Sequence, residues 1–314
     1  MPSAPCALRI VSAAAARYVT AMPLTVAAFY RFLPLHDLPR LRDDLLAFCR
    51  ERSLRGTILI APEGVNGTVA GTPAEVDALA GELDRRFALP PGEIKFSGAS
   101  GWPFARMKVR IRPEIITMRA AEADPSARVG TYVAPADWNA VIDDPDVLVL
   151  DTRNVYETKV GSFARAVDPG IDSFTAFKDY VAGHLDPARH RKVAMFCTGG
   201  IRCEKASAFM LAAGFETVYH LKGGILKYLE EVPAEESRWQ GDCYVFDGRV
   251  AVGHGLAATG WSACYGCGAP LSEADRASPL YEEGVACPHC AATLTEDKAA
   301  ALRERQRQIV SARG

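Results

Sequence analysis

Cys197 stands at the end of an apolar run, Val193-Ala-Met-Phe196, and is followed by Thr198, Gly199, Gly200, Ile201 and Arg202 before a helical pattern begins. At such a strand-to-helix turn Gly199 and Gly200 let successive backbone N–H groups point inward. The positive end of the helix dipole and the Arg202 guanidinium act in the same direction. All three favour thiolate over thiol, and a thiolate is a nucleophile. A persulfide or a bound oxyanion would suit the same cradle. A merely structural buried cysteine has no need of Gly-Gly and Arg after it. Cys203, six residues on, is either a resolving thiol or a packing residue of the first helical turn, a choice that geometry decides.

Cys264-x2-Cys267 and Cys287-x2-Cys290 are separated by 19 residues, the spacing of a two-knuckle zinc site. Four thiolates make a closed tetrahedral site, so the role expected is structural. Gly266, Gly268, Gly284 and Pro288 suit the tight turns around a metal; a redox disulfide relay is the alternative. His289 is expected to be exposed rather than a ligand.

Between Arg85 and Arg112 there are seven basic residues and one acidic, Glu93. In Arg106-Met-Lys-Val-Arg-Ile-Arg112 cations alternate with apolar residues, so a strand would carry Arg106, Lys108, Arg110 and Arg112 on one face. With Trp102 and Phe104 just upstream, this face is expected to contact an RNA backbone and stack on bases. A solvated strand face is the alternative. Arg303, Arg305 and Arg307 of the final helix are the second candidate.

These residues need elements to position them. Thr25–Leu33 reads as a strand, Leu38–Arg52 as a helix, Gly56–Ala61 and Val65–Ala70 as paired strands, Thr72–Phe87 as a helix opened by Pro73, and Arg106–Ile116 as a last strand. The order β-α-β-β-α-β is ferredoxin-like. Residues 119–133 read as a linker. From Ala136 an α/β alternation begins, with Val147–Leu150 and Val193–Phe196 as continuous apolar strands of a parallel sheet covered on both faces. The expected units are a poorly ordered extension over 1–21, a ferredoxin-like domain over 22–118, an α/β domain over 134–238, and a zinc-binding tail with a terminal helix over 239–314.

The 314 residues, 49% hydrophobic and 24% charged, suit a soluble protein of two or three domains and exclude collagen-like, disordered and coiled-coil classes. No run approaches 18 apolar residues, so no membrane-spanning helix is expected. Lys+Arg 36 against Asp+Glu 38 excludes a uniformly basic protein but not a basic patch. Clustered cysteines without a convincing secretory signal point to a reducing compartment, the cytoplasm.

Cys197 to Arg202 resembles the six-residue active loop of the rhodanese family. Leu150-Asp-Thr-Arg-Asn-Val-Tyr-Glu157 resembles that family's first motif, and Leu221-Lys-Gly-Gly224 its closing one. Arg202 lies five places after the cysteine, against six in the related phosphatases, which favours sulfur chemistry over phosphate hydrolysis. The resemblance implies that Asp151 and Arg153 sit near the loop base, as catalytic helpers or as a structural staple. More closely, Phe196–Ser207, Ala61–Thr68 and Lys108–Ile116 are similar to stretches of bacterial tRNA uridine-34 hydroxylases. That likeness spans about residues 24 to 230. It implies oxygen-dependent conversion of the wobble uridine to 5-hydroxyuridine in the tRNA anticodon loop, with molecular oxygen as co-substrate and an unknown electron donor. The residues themselves carry no 2-His-1-carboxylate, haem or dinucleotide pattern. Read without the resemblance, they point to a thiosulfate or persulfide sulfurtransferase. A non-catalytic RNA-binding protein is the third reading, and the intact Cys197 opposes it.

Overall fold

The computed structural model describes residues 24–311; the expected extension over 1–21 lies outside them. The first unit runs β1 (Leu24–Phe32), α1 (Leu38–Glu51), β2 (Arg55–Ala61), β3 (Gly64–Gly71), α2 (Pro73–Phe87), β4 (Lys95–Ala99) and β5 (Met107–Ile111), with strand order β4-β1-β3-β2-β5. The first four strands have the ferredoxin-like order, but the strand that closes the motif is β4, antiparallel to β1. The strand expected over Arg106–Ile116 is shorter. It adds a fifth position at the opposite edge, parallel to β2. Alternation alone identifies a strand, and it does not say which sheet edge that strand joins.

One face of this sheet packs on α1 and α2 through Phe29, Ile58, Ile60, Val65, Val69 and Val109, which form a single buried cluster with Leu45, Leu79 and Leu83. Pairing then dictates the other face. Lys95, Ala28, Thr68, Thr57 and Lys108 form one cross-strand row, and Tyr30, Asn66, Leu59 and Arg110 the next.

The second unit contains β6 (Thr131–Val133), α3 (Pro135–Asp143), β7 (Val147–Asp151), α4 (Val155–Thr158), β8 (Gly161–Phe163), α5 (Phe177–His184), β9 (Lys192–Phe196), α6 (Ile201–Ala212), β10 (Thr217–Leu221) and α7 (Gly224–Glu231). Strands β6-β10-β9-β7 form an all-parallel sheet. Both faces are buried. Val147, Val149, Ala194 and Phe196 pack with α3 and α7; Leu150, Val193, Met195 and Val218 pack with α5 and α6. The segment read as a linker is less free than expected. Thr131–Val133 is an edge strand of this sheet, and Ala123, like Met118 just before the segment, is buried against the α5–α6 side.

The tail also begins inside the second unit. β11 (Trp239–Gly241) pairs with β8, and Cys243, Val245, Val252 and Leu256 complete the core shared with α7. The hairpin of β12 (Cys243–Tyr244) and β13 (Ala251–Val252) reaches back to the first unit. The Gly248 N–H donates to Pro103 O at 3.0 Å, and the Arg249 guanidinium donates to Ser97 Oγ at 2.6 Å. Beyond it, β14 (Ser262–Ala263), β15 (Pro270–Leu271), α8 (Glu273–Ala277) and α9 (Glu296–Ser311) surround a small cluster made of the cysteines with Leu271, Val285 and Ala299.

Candidate active site

Cys197 is fully buried from bulk solvent, at the point where β9 hands over to α6. Gly200, the residue before α6, has φ +101°, and its N–H donates to Cys197 Sγ at 3.1 Å. A side chain at Gly200 would meet the Tyr30 hydroxyl at 2.8 Å. The loop carbonyls point outward to a second helix start: Ile225 N–H donates to Cys197 O and Leu226 N–H to Thr198 O, each at 3.0 Å. Gly224 makes this approach possible, since a Cβ there, at φ +68°, would lie 2.5 Å from Cys197 O and 2.7 Å from Gly200 N.

Burial by itself would raise the Cys197 thiol. The Cys203 thiol hydrogen bond, the Arg202 charge and the backbone N–H groups of Cys203 and Gly200 outweigh it and bring the group down to about 5. Cys203 moves the other way, pushed up by burial and by the neighbouring Cys197, and its Sγ lies 3.6 Å from Thr152 Oγ1. At neutral pH the pair therefore holds its negative charge on Cys197.

Arg202 does not point freely into the loop. Its Nη1 and Nη2 donate to Glu157 Oε1 and Oε2 at 2.6 and 2.7 Å, and both side chains are buried. Burial would raise the Glu157 carboxyl, but Arg202 and then Arg153 hold it below the usual range. Asn154 and Glu157 close a capping box on α4, which places the carboxylate beneath the loop. Asp151 and Arg153 form a separate fully buried pair, with Arg153 Nε and Nη2 on the two carboxylate oxygens at 2.9 and 2.6 Å and Nη2 also on Gly161 O. Asp151 Oδ2 also accepts from Ser162 Oγ at 2.8 Å, so the pair's polar atoms are taken up below the loop.

Above the loop lies a cleft of about 660 Å³, lined by Cys197, Thr198, Gly199 and Arg202 on one side. The open face of the first sheet forms another wall through Tyr30, Thr57, Leu59, Asn66, Thr68 and Lys95, and the hairpin residues Val245, Phe246, Asp247 and Arg249 form a third. Phe246 is 56% exposed although aromatic, with the Arg202 guanidinium 5.8 Å from its ring centre. Tyr244 and then Tyr156 back it edge to face.

Of the expected RNA-binding residues, Arg112 and Phe104 line this cleft. Lys108 and Arg110 share its sheet face by register, Arg110 being exposed. Arg106 is exposed at the bend before β5. Trp102 stays exposed, with the Arg55 guanidinium over its ring at 4.1 Å from the centre. The arginines of α9 are engaged elsewhere: Arg303 with Glu282 and Glu296, Arg307 with Glu304, and Arg305 over the Tyr265 ring.

Cys264, Cys267, Cys287 and Cys290 bring their sulfurs within 4.8 Å of one another. Three of the separations are 3.9, 3.7 and 3.7 Å. A tetrahedron with metal–sulfur bonds of about 2.3 Å has edges of about 3.8 Å, whereas a disulfide needs about 2.0 Å. The cluster could therefore hold a metal ion. His289 lies outside this ligand set and faces Asp275 at 3.3 Å.

Sequence reasoning gave no role to Glu157, although it closes the first rhodanese-like motif, nor to Phe246 or to Lys95, which was counted only as one of many cations. An acidic residue within a motif that also carries the loop's neighbours was the available signal for Glu157. Nothing local marks the other two.

Residues 24–115 match the model for the UPF0176 acylphosphatase like domain, and residues 134–231 the model for the rhodanese-like domain. A tRNA uridine(34) hydroxylase of Teredinibacter turnerae is 52% identical over 284 residues, 90% of this chain and 88% of that protein. One of Mesorhizobium japonicum is 52% identical over 287 residues, 91% of this chain and 93% of that protein. At 52% identity over about nine tenths of its length, the chain belongs to the tRNA uridine(34) hydroxylase family.

Proposed function

We propose that the protein hydroxylates C5 of uridine 34 in the anticodon loop of tRNA, with Cys197 as the group that activates the base. The observation that carries this reading is the cleft. It joins a cysteine held as thiolate, an exposed aromatic ring and a sheet face bearing Lys108, Arg110 and Arg112. A volume of about 660 Å³ suits one splayed nucleotide, and a loop base can be turned out without melting a helix.

The chemistry follows from the thiolate. Addition of Cys197 Sγ to C6 of uracil breaks the C5=C6 π bond and moves the electron pair towards O4, which makes C5 nucleophilic. Molecular oxygen is the oxidant. One oxygen atom becomes the C5 hydroxyl and the other leaves as water, with two electrons and two protons from a reductant. Loss of the C5 proton and expulsion of Cys197 restore the aromatic ring. The Glu157–Arg202 pair leaves the loop with little free positive charge, so it fits a neutral pyrimidine better than a thiosulfate dianion.

Cys264, Cys267, Cys287 and Cys290 would hold a zinc ion, which would supply folding energy to the tail. No helix among the described residues is long and apolar enough to cross a membrane; a cytoplasmic site of action follows from the substrate. The test is mass spectrometry of tRNA nucleosides from cells lacking the gene. The wild-type chain is expected to restore 5-hydroxyuridine derivatives and Cys197→Ser to restore none, because a seryl hydroxyl stays protonated at neutral pH. Restoration by Cys197→Ser, or loss of a thiolated nucleoside instead, overturns the reading.

A further inference from the structure

Two of the four basic side chains that line the cleft already have a carboxylate. Arg202 is held by Glu157 and Arg249 by Asp247. Among the described residues lining it, Arg112 and Lys95 have no ion pair, and Arg112 is exposed at the rim. Lys95 is half-buried and comes from the first residue of β4, opposite Ala28. Its Nζ lies 5.2 Å from the centre of the Tyr30 ring. The Tyr30 hydroxyl donates to Glu204 Oε1 at 2.7 Å and abuts Gly200, whose N–H holds Cys197 Sγ. The ammonium thus enters the cleft from the first unit, across from the thiolate of the second.

Resting on the reading of Cys197 as the C6 nucleophile, we infer that Lys95 is a catalytic residue that donates a hydrogen bond to uracil O4 and stabilises the negative charge formed there when the Cys197–C6 bond forms. The addition transfers the C5=C6 π electrons into the C4 carbonyl. Arg202, on the C6 side, does not serve the far end of the conjugated system, where a cation at O4 is needed; preorganised charge at a developing oxyanion is commonly worth two to three orders of magnitude in rate, about 10²–10³. This would explain why a ferredoxin-like unit is fused to a rhodanese-like one: the reaction needs a group from each.

The groups facing Lys95 are Tyr30 on β1, Glu93 before β4, Cys197 in the loop, Glu204 on α6 and Lys227 on α7. Burial lowers its ammonium to about 8 against the opposing pull of Cys197 and Glu204. Lys95 is therefore charged at neutral pH and loses its proton as pH rises through about 8, while Cys197 loses its thiolate only as pH falls through about 5.

The test needs no electron donor. An anticodon stem-loop carrying 5-fluorouridine at position 34 is mixed with the full chain, and the covalent adduct is counted after denaturation; S–C6 forms and solvent protonates C5. Binding of the unsubstituted stem-loop and thermal unfolding are measured alongside. The parent should form the adduct and Cys197→Ser none. Lys95→Met should form it at least 30-fold more slowly with stem-loop affinity within about threefold. Lys95→Arg should recover most of the rate and abolish the fall above pH 8. Adduct formation by Lys95→Met at the parent rate overturns this inference alone. A loss of affinity matching the loss of rate makes Lys95 a phosphate contact and overturns it as well. No adduct on the parent overturns the C6-addition reading and this inference with it. If Lys95→Met is misfolded, the charge-retaining Lys95→Arg decides: a folded Lys95→Arg that keeps the parent's fall above pH 8 rejects the assignment.

Discussion

Replacing Glu157 with Gln should separate the stability of the rhodanese-like unit from the acidity of its cysteine. The carboxylate accepts two charge-assisted bonds from Arg202 at 2.6 and 2.7 Å, and further ones from Asn154 N–H at 3.1 Å and Thr198 Oγ1 at 3.3 Å. Gln keeps one acceptor oxygen, turns an N–H donor towards the guanidinium, and leaves the buried Arg202 charge unopposed. Breaking a buried pair in this way costs about 3–5 kcal/mol. With a urea slope of about 2 kcal/mol per M for a unit of this size, the unfolding midpoint should fall by about 1.5–2.5 M. Tryptophan emission can follow it, because Trp138 and Trp239 are buried in that unit. The Cys197 thiolate should respond oppositely. Arg202 is one of the influences that lower it, so freeing that charge should move the acid limb of iodoacetamide alkylation to still lower pH. In the double variant Glu157→Gln/Arg202→Met the stranded charge is gone, and at least about 2 kcal/mol of the loss should return. A single-variant loss below about 1 kcal/mol, or a double variant as unstable as the sum of the singles, would show that the pair does not balance the loop as described.

Gly224→Ala should lower modification sharply and also destabilise the fold, since a Cβ at φ +68° must displace the backbone of the Cys197 loop; Gly199→Ala, where nothing lies within 4 Å, should be far milder in unfolding and activity assays. Elemental analysis of protein purified without chelators should find about one zinc per chain, and Cys287→Ser should melt the tail before the rhodanese-like unit, visible as protease sensitivity beyond about residue 260; a metal-free tail with full protection refutes the site. Arg110→Glu should weaken tRNA binding and reduce the slope of log affinity against log salt by about one, with a smaller effect on turnover at saturating tRNA, whereas Arg303→Glu should leave the slope unchanged because Glu282 already holds that arginine.

Cys197 with its glycines, the two cysteine knuckles and the alternation of Arg106 to Arg112 were legible because each is a local pattern. A thiolate cradle, a pair of metal knuckles and a strand face are built by residues a few positions apart, and the same holds for most helices and strands of both sheets. The sequence also identified a first domain of ferredoxin-like type, but assigned its closing strand to the wrong segment. Lys95–Ala99 carries a Ser-Gly pair and no apolar alternation strong enough to be read, and it becomes a strand because β1 offers an open edge. The site itself was decided by contacts that cross the chain. Tyr30 meets Glu204 over 174 positions, Arg202 meets Glu157 over 45, and the Arg249 hairpin meets Ser97 over 152. Periodicity says which residues share a face and nothing about what that face will meet. Only the packing of the first sheet over the rhodanese-like loop turns Lys95 from one cation among seven into the one across from the thiolate, and turns Arg202 from a free anion ligand into half of a buried pair.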